Sequence, residues 1–284
     1  MTESKGFKDI IFGKAAAEKE KTPAYKRLLL EGFFDAYDYT KQLLYADKFL
    51  VLGLKGSGKS AIAARLELLS KEDTDLIVTN YDISAEFPHR LFSHLMELYK
   101  NEAQITKFQY YWEYLILIVF LENFSKDSTS VYKNINLYNL LIKSLEFLEL
   151  MPTSSFSNLV AKTTESNFEE KLVKHLKSVE QFDDANSASA MNYIFHLLRD
   201  VCFSISCKKK HILVIDGLDS ILTPQIQQNN IIAALILIAD SINNHFIENG
   251  IDAKVILLCR TDLFDILPGA NLNKIKQDST IILN

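Results

Sequence analysis

The chain has 284 residues, 48% of them hydrophobic and 24% charged, which excludes a disordered, collagen-like or mainly membrane-embedded protein and fits one large domain or two small ones. Lys+Arg total 31 and Asp+Glu 36, a formal net charge of -5. The total charge therefore gives no support to a nucleic-acid or acidic-lipid surface, and a basic partner-binding face would have to be local. Cys202, Cys207 and Cys259 are too few for a disulfide framework and have no zinc-site spacing, so they read as reduced thiols.

The first twenty residues hold no apolar run of signal-peptide length and carry acidic residues that mitochondrial presequences avoid, so a cytoplasmic location is expected. Residues 48–53 (KFLVLG) form a short apolar run ending in glycine, and AIAARLELLSK, following Lys59, has helical periodicity. That is a strand, a glycine turn and a helix. Residues 76–81 (LIVTNY), 211–216 (HILVID), 253–259 (AKVILLC) and 280–283 (TIIL) read as four further strands, apolar throughout as strands covered on both faces must be.

Between the second and third strands, about 85–204, helical patterns dominate: FQYYWEYLILIVFLENF, NINLYNLLIKSLEFLEL, NFEEKLVKHLKSVEQ and MNYIFHLLRDVCFSI. SKDSTS at 125–130 and PTSSFSN at 152–158 read as polar loops between them. Thr223 and Pro224 read as the N-cap and first position of a long apolar helix through IIAALILIADSINNHF. The most apolar stretches, 115–121 and 231–239, are each less than half the roughly 20 residues that cross a bilayer, so buried helices and no membrane span are expected. Strands separated by helices predict an α/β fold, a parallel five-stranded sheet sandwiched by helices. Its core spans 48–84 and 205–284, with a large helical insertion at 85–204 and an N-terminal segment and helix at 1–47.

The chemistry is concentrated in GLKGSGKS at 53–60, a complete G-x-x-x-x-G-K-[ST] phosphate loop between a predicted strand and a predicted helix. Gly56 and Gly58 free the backbone to turn its amides toward phosphates, and the following helix presents about half a positive charge at its N-terminus. The candidate nucleotide-binding set is Gly53, Lys55, Gly56, Ser57, Gly58, Lys59, Ser60 and Ala61. Lys59 is expected on the β- and γ-phosphates of ATP and Ser60 on Mg2+. Asp216, ending the third strand, is the second expected Mg2+ ligand, and Asp219 is placed to orient or deprotonate water, or else is an ordinary loop acid or cap. Arg260 ends the fourth strand. If that strand lies beside the first, Arg260 points at the γ-phosphate; the alternative is a structural pair with Asp262 or Asp265.

Together, the phosphate loop, Asp216-Gly-Leu-Asp219 and Arg260 resemble the STAND class of signal-transducing ATPases, within the AAA-type P-loop superfamily. IIFGKAAAE at 10–18 is similar to the segment that lines the adenine pocket in that group, and the resemblance assigns Phe12 and Gly13 to the base. EGFFDAYDY and RTDLFDILPGANLNKIKQD resemble parts of bacterial P-loop ATPase domains, some of them in antiviral defence systems. The resemblance covers about 1–84 and 205–284 and departs at Ser220, where many NACHT-type members carry a second acid, so weak hydrolysis is expected. It further implies a helical lid and an effector beyond Asn284, and either a homo-oligomer or an effector-protein partner.

Other constellations carry less. His89, His94 and Glu97 lack metalloprotease spacing and read as a helix face. Asn273-Lys274-Ile275-Lys276 lacks the Asp of a guanine reader, and Lys208 to Lys210 read as a solvated loop rather than an RNA contact. Phe108, Tyr110, Tyr111, Trp112 and Tyr114 read as helix packing rather than base stacking. An ATP-dependent switch is the leading reading. A motor-type ATPase acting on DNA or protein, and a small-molecule kinase, are the alternatives.

Overall fold

The structure is a computed structural model, and it describes residues 26–32, 35, 37–83, 104–152, 156–163, 165–179, 187–220 and 225–283. The five apolar runs form β1 (Leu50–Gly53), β2 (Leu76–Asp82), β3 (Lys210–Asp216), β4 (Ala253–Arg260) and β5 (Thr280–Leu283). They pair in one all-parallel sheet of order β2-β3-β4-β1-β5. In β1 every residue is buried, and in β3 all but the two ends are, which explains why these strands are apolar throughout instead of alternating.

Alternate residues of the strands build two cores. Val51, Ile212, Val214, Ile256, Leu258, Ile281 and Leu283 face one side and pack on Leu43 and Leu44 of α2 (Tyr39–Tyr45) and Ile62, Ala63 and Leu66 of α3 (Lys59–Leu69). A short α1 (Lys26–Leu30) lies outside α3, where Arg65 donates through Nη1 to the carbonyls of Leu29 and Leu30, 2.7 Å each. Leu50, Leu52, Leu213, Ile215, Val255 and Leu257 face the other side. Here they meet α4 (Gln104–Lys126) and α9 (Gln225–Glu248), with α5 (Ile135–Phe147), α6 (Phe156–Thr163), α7 (Phe168–Val179) and α8 (Ser187–Cys202) outside or between them. The chain closes through α10 (Thr261–Phe264) and α11 (Ala270–Asp278) before β5.

The described helices between β2 and β3, α4 to α8, thus share a continuous core with the sheet. Phe108, Trp112 and Tyr114 are buried and Tyr111 nearly so, as packing predicts, while Tyr110 alone of the aromatic run is exposed. Trp112 Nε1 donates to the Ile231 carbonyl of α9 at 3.1 Å, and Arg199 of α8 pairs with the buried Glu113 of α4, so polar contacts fix these helices against one another. The 231–239 stretch lies within a helix whose span Gln228–Glu248, mean hydropathy 1.4, is long and apolar enough to cross a membrane; 61% of that window is buried in the fold. Two expectations fail locally. Ser125 and Lys126 of SKDSTS, expected as loop, close α4 instead. PTSSFSN was expected as loop throughout, but α6 begins at Phe156, because Leu159 finds a place in the core and Thr163 hydrogen-bonds Tyr111 at 3.1 Å. Thr223 and Pro224 lie outside the described residues.

Candidate functional site

Among the described residues, the expected site groups lie together at the carboxyl ends of β1, β3 and β4, the edge at which open parallel sheets bind ligands. Register places Arg260 opposite Gly53 and Cys259 opposite Leu52, so β4 does lie beside β1. One strand further, Asp216 ends β3.

The loop from Gly53 to Ser60 is shaped by its glycines. Gly56 and Gly58 have φ of 86° and 95°, a region that side chains rarely adopt, and a Cβ added at either meets nothing within 4 Å. The loop's concave side is therefore open. Gly53 is glycine for another reason: a Cβ there would lie 2.3 Å from Ser57 Oγ and 3.1 Å from Leu283 Cβ. Gly53→Ala should lower the unfolding midpoint by the equivalent of about 1–3 kcal/mol of overpacking, with part recovered by adding Ser57→Gly. Thermal denaturation reads this directly, and a double variant no better than the single one would place the strain elsewhere.

Gly58 caps α3 without any side-chain bond, and the first helical bond runs from Ile62 N to Gly58 O at 3.1 Å. The amides of Lys59, Ser60 and Ala61 consequently have no partner within the helix, which makes the α3 start an anion-seeking end. Lys59 Nζ donates to the carbonyls of Gly53 and Leu54, 2.9 Å each, curling back over the loop. Burial pulls its ammonium below the ordinary lysine range, while Asp216 and Asp219 oppose that pull. Lys55 is exposed and Ser57 half-buried, its Oγ without a hydrogen-bond partner.

Ser60 Oγ donates to Asp216 Oδ2 at 2.7 Å, joining α3 to β3 across 156 residues of sequence. Asp216 Oδ1 accepts from the Gly217 amide at 2.7 Å. Burial raises the Asp216 carboxyl above its ordinary value, the Ser60 and Gly217 bonds lower it, and the neighbouring Asp82 raises it again. Asp219 sits in a single 3-10 turn, Leu218–Ser220, with its carboxylate 3.6 Å from Arg260 Nη1. Arg260 also donates Nε and Nη2 to the two oxygens of Asp262, at 3.0 and 2.6 Å. The pair with Asp262 is thus present, and Nη1 is the guanidinium corner turned to Asp219.

A hydroxyl and a carboxylate 2.7 Å apart, both hard oxygen donors, fit Mg2+, which keeps several waters and takes one or two protein ligands beside substrate phosphates. Among the described residues, no three His, Cys, Asp or Glu side chains gather as a metal cluster.

Asp82 escaped the sequence reading. It ends β2 flush with Asp216 in the register; an acid closes LIVTNYD as one closes β3, but the pairing that gives it meaning is not local in the sequence. Other expectations fall elsewhere. Lys210 pairs with Asp252 and lies over the Tyr45 ring, at the amino ends of the strands. Lys274 lines a cleft of about 790 Å³ at that same edge with Lys254, Asp240 and Ser279, away from the loop Gly53 to Ser60. Phe12, Gly13, His89 and His94 lie outside the described residues. Cys259 is buried beneath the site, its thiol pushed up to about 12 by burial, so it offers no nucleophile.

No protein-family model, curated protein or solved structure matches the chain.

Proposed function

We propose that this chain is a P-loop nucleotide-binding domain that takes up Mg-ATP, hydrolyses it slowly, and uses the difference between the ATP and ADP states as a switch for assembly or for an effector protein. One observation carries the reading most: the Ser60 hydroxyl of the phosphate-loop motif meets the strand-end Asp216 at 2.7 Å. Two residues predicted from separate motifs to hold one metal converge, though nothing in local sequence obliges them to.

In this reading the open side of Gly56 to Gly58 and the amides at the α3 start receive the β- and γ-phosphates. Lys59 leaves one of its two loop carbonyls to donate to phosphate oxygen, a bond strengthened because both partners are charged. Mg2+ bound by Ser60 and Asp216 would neutralise charge developing on the phosphates. Asp219 accepts a proton from, or aligns, the water that attacks the γ-phosphorus, so that the P–O bond to ADP breaks and inorganic phosphate leaves. Arg260, held on one edge by Asp262, reaches the γ-phosphate with Nη1.

The binding claim is tested by nucleotide competition as well as by substitution. Adenine is preferred over guanine, since Asn273 to Lys276 lack a guanine-reading Asp and α11 lies toward the far edge of the sheet. GTP displacing bound ATP at equal or lower concentration would contradict that preference. The switch role draws on the resemblance to STAND ATPases and on the proximity of Arg260 to Asp219, which gives a γ-phosphate something to rearrange.

A further inference from the structure

The groups that would grip the γ-phosphate lie on one side of β1. Arg260 ends β4, and Asp216 ends β3 beyond it. The opposite neighbour of β1 is β5, with Gly53 in register with Leu283, at the customary strand spacing of about 4.8 Å. In the Mg-ATP reading, a nucleotide with its γ-phosphate toward Arg260 has the β5 side of β1 left for its sugar and base.

What stands there is set by α2. Its C-terminal end lies at the amino edge of the sheet, where Lys254 near the start of β4 donates to the carbonyls of Leu43 and Ala46. Its N-terminal end lies at the carboxyl edge, where the Tyr39 hydroxyl donates to Ile282 O of β5 at 3.1 Å. Helix α2 thus runs antiparallel to the strands and delivers its first turn beside the end of β5. That turn is tied down. Asp35 accepts from the amides of Tyr39 and Thr40 at 2.6 and 2.9 Å, and Gln42 Nε2 donates to the Tyr37 carbonyl at 2.8 Å.

On this fixed mount the Tyr37 ring leans against Tyr39, centroids 5.4 Å apart, and is 68% exposed. Ile282 of β5 and Leu54 of the phosphate loop are also exposed at the carboxyl edge. A solvent-facing aromatic with its backbone held in place is pre-organised for a flat partner.

We propose that Tyr37, backed by Tyr39, is the stacking platform for the nucleobase, an inference that rests on the Mg-ATP reading above. Stacking takes any base because every base has a π-face, so the platform supplies affinity and leaves the choice of adenine to other contacts.

Calorimetric titration of the whole chain with Mg-ATP, Mg-GTP and Mg-tripolyphosphate tests it. Tyr37→Ala should weaken ATP and GTP by a common factor of about 5- to 150-fold, the equivalent of about 1–3 kcal/mol of stacking, and leave tripolyphosphate unchanged. Tyr37→Trp should keep wild-type ATP affinity. If Tyr37→Ala binds ATP as the wild type does, while the wild type prefers ATP to tripolyphosphate, the base sits elsewhere and the platform is wrong. An equal loss of ATP and tripolyphosphate in Tyr37→Ala would also overturn it, since Tyr37 would then act through the loop's shape. A wild type that binds neither ligand would instead remove the nucleotide reading itself, and the platform with it.

Discussion

Lys59→Ala abolishes most Mg-ATP binding, the largest single effect expected. The ammonium lies over the loop motif, partly buried and held by two carbonyls that a phosphate can replace. Charge-assisted bonds to two phosphates, each worth about 1.5–3 kcal/mol, translate into a loss of more than about a hundredfold in affinity. The variant should fold, because Lys59 caps no core: its neighbours Ile62, Ala63 and Leu66 carry the packing of α3. Calorimetry on the folded variant with unchanged ATP affinity would remove the basis for every role assigned around it.

The second large effect separates three residues that lie within one site. Asp216→Ala loses a ligand to Mg2+, so the affinity for ATP in the presence of Mg2+ falls to the value measured with chelator. Asp219→Asn keeps ATP affinity and loses turnover, by about 10²–10⁴-fold if its carboxylate handles the attacking water. Arg260→Ala leaves ADP binding alone and narrows the ratio of ATP to ADP affinity, because a group that meets only the γ-phosphate contributes nothing once that phosphate is gone. The Asp262 pair sharpens this expectation. With Nε and Nη2 occupied, Arg260 has one corner to offer, and a structural arginine would change stability without changing the ATP-to-ADP ratio. Unchanged turnover in Asp219→Asn together with an unchanged ratio in Arg260→Ala would leave only a phosphate-binding loop.

The strands were readable as apolar runs, which burial on both faces demands of β1, β3 and β4 though not of the half-buried edge strand β2: TIIL is the whole of β5, and HILVID is β3 less its first residue. Helix α3 and its glycine entry were readable because the motif is local. Strand order was not, since nothing in AKVILLC or KFLVLG states that Cys259 will face Leu52; that pairing is a consequence of crossover geometry and packing. The start of α6 inside PTSSFSN was hidden for a related reason, because polar residues suggest a loop until a core accepts Leu159. At the site, the phosphate loop and Asp216 were visible as motifs. Asp82 and the Tyr37–Tyr39 pair were not, because each acquires meaning only from a neighbour far away in the chain, Asp216 for one and Ile282 for the other.

The most direct test of the central claim is an equilibrium titration of the unmodified chain with ATP, run once with Mg2+ and once with chelator. The account predicts one saturable site per chain whose affinity falls sharply when Mg2+ is removed. Failure to bind ATP in either condition, or binding indifferent to Mg2+, would contradict the assignment of Ser60 and Asp216 to a shared metal.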